Sequence, residues 1–175
     1  MTFHSIVRQW ARTYRPMLDS PVNGNRRFYM TDSQAGVVEM AKGISSKFSP
    51  FVMMESAPEV EGDFLKPFRN YPIYFFVKAE KMADGDDAAA AYEEALVHAK
   101  KFLTWLWNKH EKETETNIAG DFAMIDLEQS RLMISPVGPI ENGWYGVCVQ
   151  FERMEPTDKC VNPDDYIDEE GEDSE

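Results

Sequence analysis

The stretch YPIYFFVKA, residues 71–79, constrains the fold more than any other part of the chain. Tyr71, Ile73, Phe75 and Val77 fall on one face of an extended segment, and Tyr74 and Phe76 fall on the other. A strand that is apolar on both faces has to be covered on both sides, so it belongs in the middle of a sheet. The period then changes. Residues 86–112, DDAAAAYEEALVHAKKFLTWLWNKHEK, read as one long helix with Tyr92, Ala95, Leu96, Ala99, Phe102, Leu103 and Leu106 in a single stripe. Asp86 and Asp87 at its start and Lys109 and Lys112 at its end complement the helix dipole.

The other elements follow from weaker signals. FHSIVRQWARTYR, residues 3–15, is an amphipathic helix with Phe3, Ile6, Val7, Trp10 and Tyr14 on one side, stopped by Pro16. RRFYMT, 26–31, reads as a short strand. A second helix follows, with Thr31, Asp32 and Ser33 all of N-cap type, Thr31 and Gln34 spaced for a capping box, and Gly43 as its stop. PFVMMES, 50–56, is a strand. Residues 57–70 form a long connection, either a hairpin arm or a flexible loop. FAMIDL (122–127) and RLMIS (131–135) read as two strands, PVGPIENG (136–143) as a turn-rich link, and WYGVCVQFER (144–153) as the last strand. In that strand Tyr145, Val147, Val149 and Phe151 alternate with Gly146, Cys148, Gln150 and Glu152, the pattern of a sheet with one face on the core.

The expected architecture is α+β. A mostly antiparallel sheet of about 4–6 strands packs on the long helix and one or two shorter N-terminal helices. Residues 1–163 make one domain, and 164–175 an acidic, disordered tail.

Charge narrows the function. The net charge is −13, but residues 1–50 carry seven Lys/Arg against three Asp/Glu, while DDYIDEEGEDSE at 164–175 carries eight acids and no base. So acidic a chain is a poor nucleic-acid binder, since phosphate contact needs a basic surface. The basic residues near the N-terminus, Arg8, Arg12, Arg15, Arg26 and Arg27, are a candidate interaction patch whose simpler reading is a solvated face. No signal peptide is visible and the longest apolar stretch is too short to span a bilayer, so a soluble protein made in the cytosol is expected.

Candidate chemistry is sparse. The histidines, His4, His98 and His110, form no metal-ligand spacing. DGDD at 84–87 lacks an EF-hand loop and reads as helix-start acids. There is no phosphate-binding glycine loop and no nucleophile elbow. Cys148 reads as a small buried hydrophobe, Cys160 as a free thiol in a polar exit loop, and a Cys148–His98 pair as a weak signal. No catalytic residue, metal or cofactor is expected. Trp144 and Tyr145, beside a turn, are candidate interface aromatics.

The layout resembles the tail-completion and head–tail joining proteins of tailed phages and prophages. The features that carry it are the N-terminal amphipathic helix, the excursion at 57–70, YPIYFFVKAEK running into a long helix, and the closing GPIENGWYGVCVQFERMEP followed by DKCVNPDDY. The closing strand is similar to those of virion neck proteins of Bacteroides-type prophages. The resemblance covers residues 70–165. It implies a non-enzymatic structural role in a homo-oligomeric ring, a tail terminator or head–tail connector. Its partners would be itself and other virion proteins, with no small-molecule substrate, sequence-specific nucleic acid or membrane. The protein would end up in the virion. Two other readings stand beside it: a soluble adaptor domain recognising a protein partner, and an enzyme whose site is not legible in one sequence.

Overall fold

The computed structural model describes residues 3–56, 59–63, 66–81, 85–116, 132–150 and 152–154, with the side chains of 59–63, 66–69 and 152–154 excepted. The protein is α+β. In chain order the elements are α1 (Phe3–Thr13), β1 (Phe28–Thr31), α2 (Gln34–Gly43), β2 (Phe51–Glu55), β3 (Glu59–Asp63), β4 (Lys66–Asn70), β5 (Ile73–Lys78), α3 (Gly85–Glu115), β6 (Met133–Ile140), β7 (Trp144–Gln150) and β8 (Glu152–Met154).

Among the described residues five strands form the main sheet in the order β1-β2-β5-β7-β6, so the doubly apolar β5 takes the interior place its sequence demands. Its neighbours pair antiparallel, with Phe75 opposite Val52 on one side and Val147 on the other. β1 and β2 pair parallel and are joined through α2.

The first face of the sheet carries Phe28, Val52, Met54, Ile73, Phe75, Val77, Tyr145, Val147 and Val149 beneath α1 and α3. Trp10 of α1 is the wedge between layers. Its ring meets Phe75 at 5.7 Å and Phe102 of α3 at 5.2 Å, both edge-on, the arrangement that aromatic quadrupoles favour. The stripe on α3 lands on this face through Ala91, Ala95, Ala99, Phe102 and Leu106, all buried.

The second face corrects the expectation of a one-sided β7. Trp144 and Cys148 are as buried as Tyr145 and Val147. They join Tyr29, Phe51, Met53, Tyr74 and Phe76 under Val37 and Ala41 of α2. Both faces of WYGVCVQ are buried, and on the second one Gly146 leaves room for the Phe76 ring.

Two further expectations change. The link at 136–143 is mostly strand. Among the described residues β6 is the outer strand of the sheet, and there the missing N–H of Pro136 and Pro139 removes no ladder bond between described strands. A register shift between Val137 and Ile140 absorbs the irregularity at Gly138, whose φ of +112° suits glycine alone. Of the three cap candidates it is Ser33 that caps α2, its Oγ accepting from the Gly36 N–H at 3.2 Å, in place of the Thr31–Gln34 box. The expected strand at 122–127, Phe151, Cys160 and the acidic tail lie outside the described residues.

β3, β4 and β8 make a separate three-stranded sheet in the order β3-β4-β8. It grows from the main sheet's centre, since β4 leads into β5, β8 follows β7, and both pairs are antiparallel. The excursion at 57–70 is thus a hairpin arm with a third strand added from the C-terminal side.

Candidate functional site

With ten residues, α2 is too short to roof the whole second face. Its C-terminal end is held over the Trp144 end of the sheet. There Asn142 Nδ2 donates to the Lys42 carbonyl at 3.0 Å, and Lys42 Nζ lies 3.6 Å from Glu141. Its N-terminal end stops short. Between it and the strand ends lies a cleft of about 610 Å³.

The register of the strands sets the cleft floor. One row across the sheet is Met53, Tyr74, Cys148 and Ser135. Side chains two residues further along each strand share the face. They are Glu55 on β2, Gln150 on β7 and Pro72 just before β5, so the floor turns from apolar to polar. Asp32, Ser33 and Gln34, exposed at the start of α2, form one wall, and Pro136, Val137 and Gly138 of β6 the other.

The main contact in the cleft is between Tyr74 and Glu55. The phenol donates to Glu55 Oε1 at 2.6 Å. Burial, then the adjoining carboxylate, raises the Tyr74 pKa above its ordinary 10. Cys148 lies next to that phenol, and its thiol is pushed up to about 12, chiefly by burial. Both groups stay protonated at neutral pH. A neutral buried thiol is a packing group and not a nucleophile, because the thiolate is the reactive form. Asn70 Oδ1 at the cleft is buried with no hydrogen-bond partner among the described residues.

None of the described lining residues is Lys, Arg or His, while two are carboxylates. The start of α2 presents a dipole end worth roughly half a positive charge. Two carboxylates outweigh it, so the cleft favours cations and hydrogen-bond donors over anions.

The sequence-derived candidates disperse. Arg8 and Arg12 are exposed one turn apart on α1, on the first-face side of the sheet, and Arg15 is exposed in the turn that follows the helix. Arg8 also lies over the Phe28 ring at 5.0 Å. Arg27 has a local task. Its guanidinium donates to Pro50 O at 3.0 Å, Lys47 O at 3.1 Å and Asn25 Oδ1 at 2.7 Å, pinning the loop before β2. Arg26 lies over Tyr29 at 4.9 Å. Trp144 and Tyr145 are withdrawn as interface aromatics. They are 0% and 6% exposed, because the turn that precedes them delivers both into the interior, one to each face. His98 belongs to the first-face core and Cys148 to the second, so the sheet separates them. His4 Nε2 lies 3.2 Å from the Glu55 carbonyl oxygen. Among the described residues no group of three His, Cys, Asp or Glu is placed to hold a metal ion. No described helix is long and apolar enough to cross a membrane.

Comparison with protein-family models and with curated proteins found no match.

The cleft escaped sequence reasoning because its residues come from separate segments at 32–34, 55, 70–74, 135–138 and 148–150. One signal was present: Glu55 ends an otherwise apolar FVMM run.

Proposed function

We propose that this chain is a non-enzymatic structural protein that assembles with copies of itself into a ring, as at the head–tail joint or tail end of a tailed phage. The observation that carries the reading is the second sheet. β4 and β8 continue the two central strands beyond the main sheet, and β3 folds back on β4. The three strands are EVEGD, KPFRN and ERM, whose apolar residues are Val60, Pro67, Phe68 and Met154. So few cannot build a core of their own, and a small ribbon of strands is stabilised by something packed on it, from this chain or from another. A neighbouring subunit is a support of the right kind. The protonated thiol and phenol in the cleft favour binding over catalysis. On this reading the partners are further copies and other virion proteins, no cofactor is needed, and the place of action is the virion.

The test is to replace residues 59–69 with a short Gly/Ser linker and compare the variant with the wild type by negative-stain electron microscopy. Wild-type rings and a well-folded variant without rings are the expected result. Rings that survive loss of the arm would refute the role given to it.

A second reading is an adaptor domain that holds a segment of a protein partner in the cleft. The cleft itself favours it, and it expects a stable monomer.

A further inference from the structure

The exposed arginines of α1 and of the turn after it lie on the opposite face of the sheet from the acid-lined cleft. Within a single chain the sheet keeps them apart, so neither can satisfy the other. Between two copies they match. We propose that Arg12 and Arg15 of one copy dock at the cleft of the next, with the guanidinium groups facing Glu55 and Asp32. This rests on the ring reading above and names its contact.

Three features favour this occupant. A guanidinium carries five N–H donors and no acceptor. The cleft offers acceptors: the Glu55 and Asp32 carboxylates and the amide oxygen of Asn70, which is buried without a partner among the described residues. Glu55 is held in place by Tyr74 through Oε1, which leaves Oε2 for an incoming donor. Charge is complementary on the scale of the chain as well, since residues 1–50 are net basic and the remainder is strongly acidic. The geometry also fixes the symmetry. A contact that joins two different surfaces is heterologous, so repeating it closes a ring or grows a filament, and it cannot end at a two-fold dimer.

That property makes the proposal testable with two full-length variants. Arg12→Glu with Arg15→Glu spoils the donor face and leaves the cleft intact. Asp32→Asn with Glu55→Gln removes the cleft charge, keeps a hydrogen-bond acceptor for Tyr74, and leaves the donor face intact. Native mass spectrometry and sedimentation follow the wild type, each variant alone, and an equal mixture. The expected result is an oligomeric wild type, two variants whose self-association is weaker by about tenfold or more, and a mixture that stops at one-to-one heterodimers. Dimers in the mixture also show that both variants are folded. Variants that keep the wild-type oligomer would overturn this contact while leaving the ring reading in place. Variants that stay monomeric alone and when mixed would overturn it too. A wild type that is monomeric throughout would overturn both.

Discussion

Gly146 gives the sharpest test of a sheet packed on both faces. It sits in β7 opposite Phe76 of β5 and Val137 of β6. A Cβ added there would overlap the Phe75 carbonyl oxygen and come within 2.7 Å of Phe76 Cδ1 and 3.1 Å of Cε1. The ring has nowhere to go, since Phe76 is fully buried with its centroid 5.1 Å from that of Phe51. The carbonyl can yield only if the β5–β7 ladder opens. Overpacking of this kind costs about 1–3 kcal/mol, and a disturbed interior ladder bond adds roughly 1–3 kcal/mol. Against this, Gly→Ala lowers the entropy of the unfolded chain, a gain of only about 0.4–1 kcal/mol. The steric terms win, and Gly146→Ala should destabilise by about 3 kcal/mol. For a chain of this size that lowers Tm by roughly 6–12 °C. Urea melts followed by tryptophan fluorescence, with calorimetry alongside, measure it. Gly43→Ala is the control, because nothing lies within 4 Å of its added Cβ. It should be neutral or slightly stabilising. A Gly146→Ala protein as stable as the wild type would refute the register and the second-face packing together.

Three further outcomes follow from buried polar groups. Asp19 is 4% exposed and its Oδ1 accepts from the Arg27 and Phe28 N–H groups at 2.6 and 2.9 Å; Asp19→Ala strands both donors and should cost about 2–4 kcal/mol in a urea melt, with Asp19→Asn milder. Cys148, with its thiol pushed up to about 12, should resist iodoacetamide at pH 8 until the protein is unfolded, as read by peptide mapping that resolves it from Cys160. His98 is buried, with Tyr14 Oη 2.9 Å from Nδ1 and Glu94 Oε1 3.5 Å from Nε2. Burial lowers its pKa below the ordinary 6.5 and outweighs the opposing pull of Glu94. As pH falls, the unfolded chain therefore takes up the proton first. The stability linked to neutral His98 is complete above about pH 6.5 and is lost below it, toward the folded pKa. Between pH 7.5 and 5.5 the wild type should lose more stability than His98→Gln; equal losses would contradict the assignment.

Much of the fold was legible because its strongest signals are local. The stripe on α3 and the apolar run of β5 each name their own partners: a long helix needs a sheet face, and a strand apolar on both sides needs two. What failed was non-local. Cys148 was legible as a buried residue, but Trp144 looked like an interface aromatic beside a turn, although α2, a hundred residues earlier, packs over its end of the sheet. Pro136 and Pro139 looked like a loop because proline breaks an interior strand, and nothing local says that β6 is the outer strand among the described residues. The parallel pairing of β1 with β2 depends on α2 crossing between them and leaves no mark in RRFYMT. The cleft was the least legible feature, since its polar floor exists only once three strands are in register. Arg8, Arg12 and Arg15 were legible in the sequence, but their counterpart was not.

The central claim is self-assembly through unlike faces, and sedimentation velocity of the wild-type protein over a concentration series tests it most directly. A single closed oligomer that dissociates to monomer as salt rises from about 0.05 to 0.5 M, where exposed charges are screened, is the predicted result. Sedimentation as a monomer at every concentration in low salt would contradict it.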